Sequence, residues 1–289
     1  MVDPRRWRNR RLRFVETSPQ YSVRSWGRVE TCQNRLDAGM SNRSVARTFD
    51  KTAELYERAR PGWPAEALDH VIEELGVERT ATVLDLGAGT GKLTRMLVDR
   101  FDNAVAVEPL DGMRALLESL LPKAETHAGS GESIPLGDDS VDAVFSADAF
   151  HWFDGQLALA EIGRVLRQRG ALVLMWNEPD KPTEPSIAAA GELLNERGSS
   201  ERQINRYASG AWRESFAGSP FQELSKAQFN HRQVVDREQL LAYFASMSWI
   251  AVLPDRERVE LLNEVRGLLD ADVYTRFWRA DVYWTRLAA

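Results

Sequence analysis

The sequence predicts an α/β fold, with parallel strands alternating with helices that cover both faces of a doubly wound sheet. Three observations carry this expectation. Val83-Leu-Asp-Leu-Gly-Ala-Gly-Thr-Gly91 is an apolar strand running into a glycine-rich turn, and Ala104-Val-Ala-Val-Glu108-Pro109 is a second apolar run ending in an acid. Between them, Leu93, Met96, Leu97 and Phe101 recur at helical spacing. Val and Leu suit a strand buried on both faces. Asp85 breaks the first run at its carboxyl end, where an acid costs desolvation unless it meets a partner.

The first turn has the makings of a nucleotide site. Gly87, Gly89 and Gly91 lack Cβ, so the chain can take positive φ and admit a ligand to its backbone before the helix expected from near Lys92. Spacing decides which ligand. A dinucleotide fingerprint counted from Gly87 needs a third glycine where Lys92 stands, and counted from Gly89 it needs one at Thr94. A phosphate loop ending in Gly91-Lys92 needs Ser or Thr at Leu93 and glycine at Leu86. Both phosphate patterns fail on residue type. Glu108, 17 residues after Gly91, has the position and chemistry of a carboxylate accepting hydrogen bonds from a ribose diol.

The following elements keep the alternation. A helix is expected over Asp111 to Leu121 and a third strand over Ala124 to Ala128. The loop Gly129-Ser-Gly131-Glu132-Ser133-Ile-Pro135 combines turn residues with one acid able to meet an amino group. Val141 to Ala147 reads as a fourth strand, leading through Asp148 into His151-Trp152-Phe153. Gly170 to Asn177 reads as the fifth.

The Asp-x-Gly-x-Gly-x-Gly pattern of residues 85–91 resembles motif I of class I S-adenosylmethionine (SAM)-dependent methyltransferases. Gly-Ser-x-Glu-x-Ile-Pro at 129–135 and Ala-Phe-His-Trp-Phe at 149–153 resemble the small-molecule "type 11" group, including its trans-aconitate methyltransferase-like branch. The resemblance implies a Rossmann-like, mostly parallel seven-stranded sheet with an antiparallel final strand and a helical substrate lobe. It implies SAM as cofactor and S-adenosyl-L-homocysteine as its product. Asp85, Gly87, Ala88, Gly89 and Gly91 would border the methionine portion of SAM, and Glu108 and Pro109 the ribose. Met113, Gly131, Glu132 and Ser133 would border the adenine, with Ala147 at the end of the fourth strand. Ala53-x-x-Tyr56-x-x-x-Arg60-Pro61-x-Trp63-Pro64 matches a stretch that lies over the SAM pocket in related enzymes, which adds Tyr56 and Arg60.

At 289 residues and 43% apolar, the chain can bury a sizeable core. No apolar run is long enough to span a membrane. The single cysteine, Cys32, excludes an internal disulfide framework and a three-cysteine iron–sulfur signature, and with it radical SAM chemistry. Residues 1–39 carry nine Arg against four acids, while the remainder is net −11. We read 1–39 as a disordered basic extension or a mis-assigned start, 40–177 as the SAM-binding domain with its N-terminal cap, and 178–289 as substrate lobe plus closing strands. The acidic body argues against nucleic acid as the main partner. A cytoplasmic monomer or homodimer is expected.

Beyond the fifth strand, helices are expected over Pro185 to Glu196, Arg237 to Ser246 and Arg256 to Leu269. A strand is expected around Phe221 to Phe229, and Arg276 to Arg286 as an edge strand. Trp212, Phe216, Tyr243, Met247 and Trp249 are candidates for the pocket or the core. A sulfonium methyl is already electrophilic, so the protein must align a nucleophile, exclude water and, for a protonated acceptor, supply a base. Asp148 and His151 are the titratable residues nearest the fourth strand's end, and the alternative reading of His151 is that it packs the turn. No metal spacing stands out, so metal independence is expected. The acceptor is read as a small molecule methylated on a carboxylate or hydroxyl oxygen. The alternatives are C-methylation of a quinone-like ring and a non-catalytic SAM-binding regulator. A short-chain NAD oxidoreductase is disfavoured because no Tyr has Lys four residues later.

Overall fold

The computed structural model describes residues 53–198 and 207–288, all within the unit Met40–Ala289. The expectation for residues 1–39 lies outside the described residues. Helices α1 (Ala53–Ala59) and α2 (Ala65–Leu75) precede β1 (Thr82–Leu86), α3 (Thr94–Arg100), β2 (Asn103–Val107), α4 (Asp111–Leu120) and β3 (Glu125–His127). Then come β4 (Val141–Ala147), a 3-10 turn (Phe150–Trp152), α5 (Gly155–Val165), β5 (Leu166–Pro179) and α6 (Pro185–Arg197). A second 3-10 turn (Ala211–Phe216), β6 (Ser225–Asp236), α7 (Arg237–Ala245), α8 (Ser248–Ala251), α9 (Asp255–Leu268) and β7 (Val273–Arg286) complete the chain.

The seven strands form one sheet in the order β3-β2-β1-β4-β5-β7-β6. Strands β1 to β5 pair in parallel, and β7 runs antiparallel to both β5 and β6. The expected mostly parallel sheet with an antiparallel last strand is present. Its edge is not where the sequence reading put it. β7 lies between β5 and β6, so Arg276 to Arg286 is interior, and the edge is β6, which begins four residues after the expected Phe221. The physical reason is composition: β7 carries buried Tyr274, Trp278, Val282 and Tyr283, whereas Lys226, Asn230 and Arg232 on β6 tolerate an open edge.

Alternation along each strand feeds two cores. Val83, Ala143, Phe145 and Val173 pack with Leu68 and Val71 of α2 and Leu97 of α3. Leu84, Leu86, Val144 and Leu172 face the opposite side, against Leu159 and Ile162 of α5. A third cluster joins Ala59 of α1 to α6, α7, α8 and α9 over Val235, Tyr274 and Trp278 of the closing strands. The lobe anticipated from 178 onward is therefore built on the same sheet as the glycine turn. No described helix is long and apolar enough to cross a membrane.

Trp212 and Phe216 belong to the α5-side core rather than to an open pocket. Trp212 lies 4.6 Å from Trp176, which stacks at 4.6 Å on Tyr207. Beneath them Asp281, 1% exposed, accepts hydrogen bonds from the Tyr207 hydroxyl, from Gln228 Nε2 at 2.6 Å and from Arg279 Nε at 3.0 Å. Removing that carboxylate strands several donors at once. Asp281→Ala is expected to lower unfolding free energy by about 3 kcal/mol in urea titrations, and a loss below about 0.5 kcal/mol would show that the network carries no net stability.

Candidate functional site

The strand order reverses between β1 and β4, and such a switch point opens a crevice at the strands' carboxyl ends. One cavity there is lined by Asp85, Gly87, Ala88 and Gly89 after β1, by Ala147 and Asp148 after β4, and by Tyr56 and Arg60 from the cap. Eight of the residues singled out from the sequence thus converge. Pro61, Trp63, Thr90, Lys92 and Leu93 complete the lining.

The glycine turn is held by β2. Val107 O accepts from Gly87 N at 2.9 Å and Ala88 N at 3.1 Å, while Glu108 Oε2 accepts from Gly89 N at 2.8 Å. Gly87, Gly89 and Gly91 have φ of 73°, 58° and 85°, the left-handed region where a side chain is strained. At Gly87 a Cβ would also sit 2.6 Å from Ala149 Cβ, whereas at Gly89 it would meet nothing within 4 Å. α3 starts two residues after the expected Lys92, because the turn runs on through Leu93.

Asp85 shares the α2/α3 side of β1 with Val83 and is 1% exposed. Its Oδ2 accepts from Thr94 Oγ1 at 2.6 Å, and its Oδ1 has no partner. Burial pushes the carboxyl up to about 7, with Glu108 adding to the rise and the Thr94 hydrogen bond opposing it. Glu108, 5% exposed, accepts through Oε1 from Leu110 N at 2.9 Å as well as from Gly89. Both acids therefore stand at strand ends beside the turn, as their sequence positions imply.

The cap is clamped by Glu57 of α1, which the sequence reading did not single out. Its carboxylate accepts from Thr90 Oγ1 at 2.5 Å and Arg95 Nη2 at 2.7 Å, and its carbonyl from Lys92 Nζ at 2.6 Å. Arg60 reaches the lobe, donating to Ser246 Oγ and Ser246 O, each at 3.0 Å. Half-buried Tyr56 lies beneath it, with Arg60 5.5 Å from the ring centroid, and burial pushes its hydroxyl up to about 12.

Comparison with known proteins fits this geometry. Residues 84–174 match a family model described as a methyltransferase domain. An uncharacterized methyltransferase of Mycobacterium tuberculosis is 35% identical over 229 residues, spanning 79% of this chain and 88% of the relative. The chain belongs to the class I SAM-dependent methyltransferases. A malonyl-[acyl-carrier protein] O-methyltransferase of Methylococcus capsulatus is 37% identical over 140 residues, 46% of this methyltransferase and 49% of that one. In fold it resembles a protein from Anaeromyxobacter dehalogenans described as a type II methyltransferase, with a TM-score of 0.60 at 22% identity over 79% of this chain and 98% of the other.

The two base candidates of the methyltransferase part ways. Asp148 borders the cavity at φ 50°, a left-handed conformation that Asp tolerates better than most residues. Its Oδ1 accepts from Asn177 N at 3.1 Å, and burial raises the carboxyl to about 7 against the pull of that bond and of Arg60. His151 is not among the cavity's lining residues. Its Nδ1 accepts from the buried Trp176 Nε1 at 3.0 Å, which places the ring against the aromatic core.

The adenine-side candidates are also outside the lining. Glu132 Oε1 accepts from Asp154 N at 2.8 Å, at the start of α5, and Ser133 pairs with Ser130 across a tight turn. A Cβ on Gly131 would lie 2.6 Å from the Phe153 ring, so this loop packs on His-Trp-Phe through Phe153. Met113 is 3% exposed on α4 and Pro109 is exposed. Of the lobe candidates, Tyr243 stands beside Arg60 at 5.2 Å, while Met247 and Trp249 pack into the lobe core.

The raised Asp85 gives a pH signature. Its native carboxyl keeps a proton to about 7, whereas the unfolded one releases it near 3.8. Between those values the native state binds more protons, so stability falls as pH rises. In ligand-free protein the urea midpoint should decline from pH 4.5 to 7.5, less steeply in Asp85→Asn; equal slopes would assign the effect to other groups.

Proposed function

We propose that this methyltransferase takes SAM at the β1/β4 crevice and methylates an oxygen of a small-molecule acceptor admitted from the side of the helical lobe. The observation that carries the reading is the buried, unpartnered Oδ1 of Asp85 beside a turn whose Gly89 position opens onto free space. That pair fits a ligand bearing a hydrogen-bond donor held close to the backbone. Once bound, SAM would supply an activated methyl group for transfer to the acceptor oxygen, with the neutral thioether as leaving group.

The chain's residues divide the remaining work. Gly87 to Gly91 offer backbone contact along the methionine portion, and Asp85 accepts from its amino end. Glu108 stands at the end of β2 where a carboxylate would accept from a ribose diol, with Pro109, Met113, Gly131, Glu132 and Ser133 toward the adenine. Tyr56 and Arg60 cover the cavity and keep water from the sulfonium. For a hydroxyl acceptor, Asp148 takes the proton, since it borders the cavity and is poised near neutrality. His151 positions the turn, because its Nδ1 is engaged by Trp176. Methylation on oxygen agrees with the O-methyltransferase name of the M. capsulatus relative.

Titration calorimetry tests the reading. SAM and S-adenosylhomocysteine should both bind, and Glu108→Gln and Asp85→Ala should each weaken binding by at least about tenfold, the loss of one hydrogen bond to a charged group. Tight NAD binding with none for SAM would refute it.

A further inference from the structure

One wall of the donor cavity hangs on a single side chain. Pro61 and Trp63 line the cavity, and Pro61 and Pro64 have no backbone N–H to give. The helices on either side end at Ala59 and begin at Ala65, so residues 61–63 lie outside any helix or strand ladder. Among the described residues, their one hydrogen bond to the rest of the protein is accepted by Gly62 O from Asn177 Nδ2, at 3.1 Å and 115 positions away.

Asn177 stands near the carboxyl end of β5 and is 9% exposed. A carbonyl oxygen can only accept, so the Asn177 NH₂ must face Gly62 and its Oδ1 must face the other way. There Oδ1 meets His231 Nε2 of β6 at 2.8 Å, and an oxygen acceptor requires that nitrogen to carry a proton. The donors therefore run in one direction, from His231 through the amide to Gly62. Burial lowers the His231 pKa against the pull of Glu66, which keeps the ring neutral near pH 7 as the Nε2–H tautomer. Without that donor the amide is free to turn by half and set Oδ1 against Gly62 O, two acceptors face to face.

The backbone of the same residue serves the other side of the crevice. Asn177 N donates to Asp148 Oδ1 at 3.1 Å, and Asp148 N donates to Met175 O at 2.8 Å. β5 thus holds the base candidate through its main chain, which a substitution preserves. It holds the cap wall through one side chain, which a substitution removes.

We propose that Asn177 is a positioning residue of this methyltransferase, its amide oriented by His231 so that it holds Gly62 and keeps Pro61 and Trp63 closed over the bound methyl donor. Loss of either partner lets the wall open more often, and the ligand leaves sooner. This rests on SAM occupying the β1/β4 crevice, and the experiment separates the two.

Release of tritiated S-adenosylhomocysteine, chased with excess unlabelled ligand, is timed by rapid filtration for the full chain and its variants. Asn177→Ala and His231→Leu should each speed release about fivefold, the weight of one neutral hydrogen bond. The double variant should be no faster than Asn177→Ala alone, since His231 acts through the amide. His231→Gln, whose side-chain NH₂ can donate at the same point, should release within twofold of the parent. The His231 pair keeps the test open if Asn177→Ala does not fold. A side chain that only steadied the fold would lower the melting point and leave release unchanged. Unchanged release in His231→Leu or in folded Asn177→Ala, a double variant faster by the product of the two factors, or fast release in His231→Gln would each overturn the inference. Failure of S-adenosylhomocysteine to bind the parent would instead overturn the proposed function, and this inference with it.

Discussion

The site depends on one carboxylate at the end of β2. Glu108 ties Gly89 N–H and Leu110 N–H, at 2.8 and 2.9 Å, while the carbonyl of neighbouring Val107 takes Gly87 and Ala88. These bonds hold a turn whose glycines stand at positive φ, a conformation that little else in a three-glycine loop would enforce. They also join the carboxyl ends of β1 and β2, so the crevice opened by the strand order has a fixed floor. Asp85 adds the complementary strain: a buried acid with one oxygen satisfied by Thr94 and the other unsatisfied.

Much of this was legible in the sequence because it is local. A strand, its terminal acid and the glycine turn occupy nine consecutive residues, and Glu108 repeats the pattern at a separation that one helix sets. What escaped depends on pairing between distant segments. Arg60 meets Ser246 across 186 positions, and Glu57 meets Arg95 across 38. Neither contact leaves a periodic trace. The inversion of edge and interior among the last two strands is a failure of the same kind, although the polar character of β6 beside the aromatic β7 carried the signal. For His151 the obstacle was finer still, since its role turns on which ring nitrogen meets the Trp176 indole.

The cap gives the cavity its second wall, and the lobe helps hold the cap in place. Glu57 anchors α1 to the glycine turn through Thr90, Lys92 and Arg95, and Arg60 anchors the end of that segment to the lobe through Ser246. Asn177 adds a third tether, donating to Gly62 O at 3.1 Å while its backbone N–H reaches Asp148 and its side-chain oxygen lies 2.8 Å from His231. The residue at the end of β5 thus joins the cap, the candidate base and the edge strand. The glycine-turn side of the cavity is built from local sequence motifs, and the cap that faces it is held by contacts that only the tertiary fold brings together.

The most direct measurement is high-resolution mass spectrometry of a metabolite extract incubated with the protein and methyl-deuterated SAM. The account predicts a small-molecule product heavier than its precursor by one trideuteromethyl group, formed by the parent protein and sharply reduced with Glu108→Gln. Stoichiometric SAM binding with no labelled product from any extract would contradict it, and would leave a protein that holds the cofactor without using it.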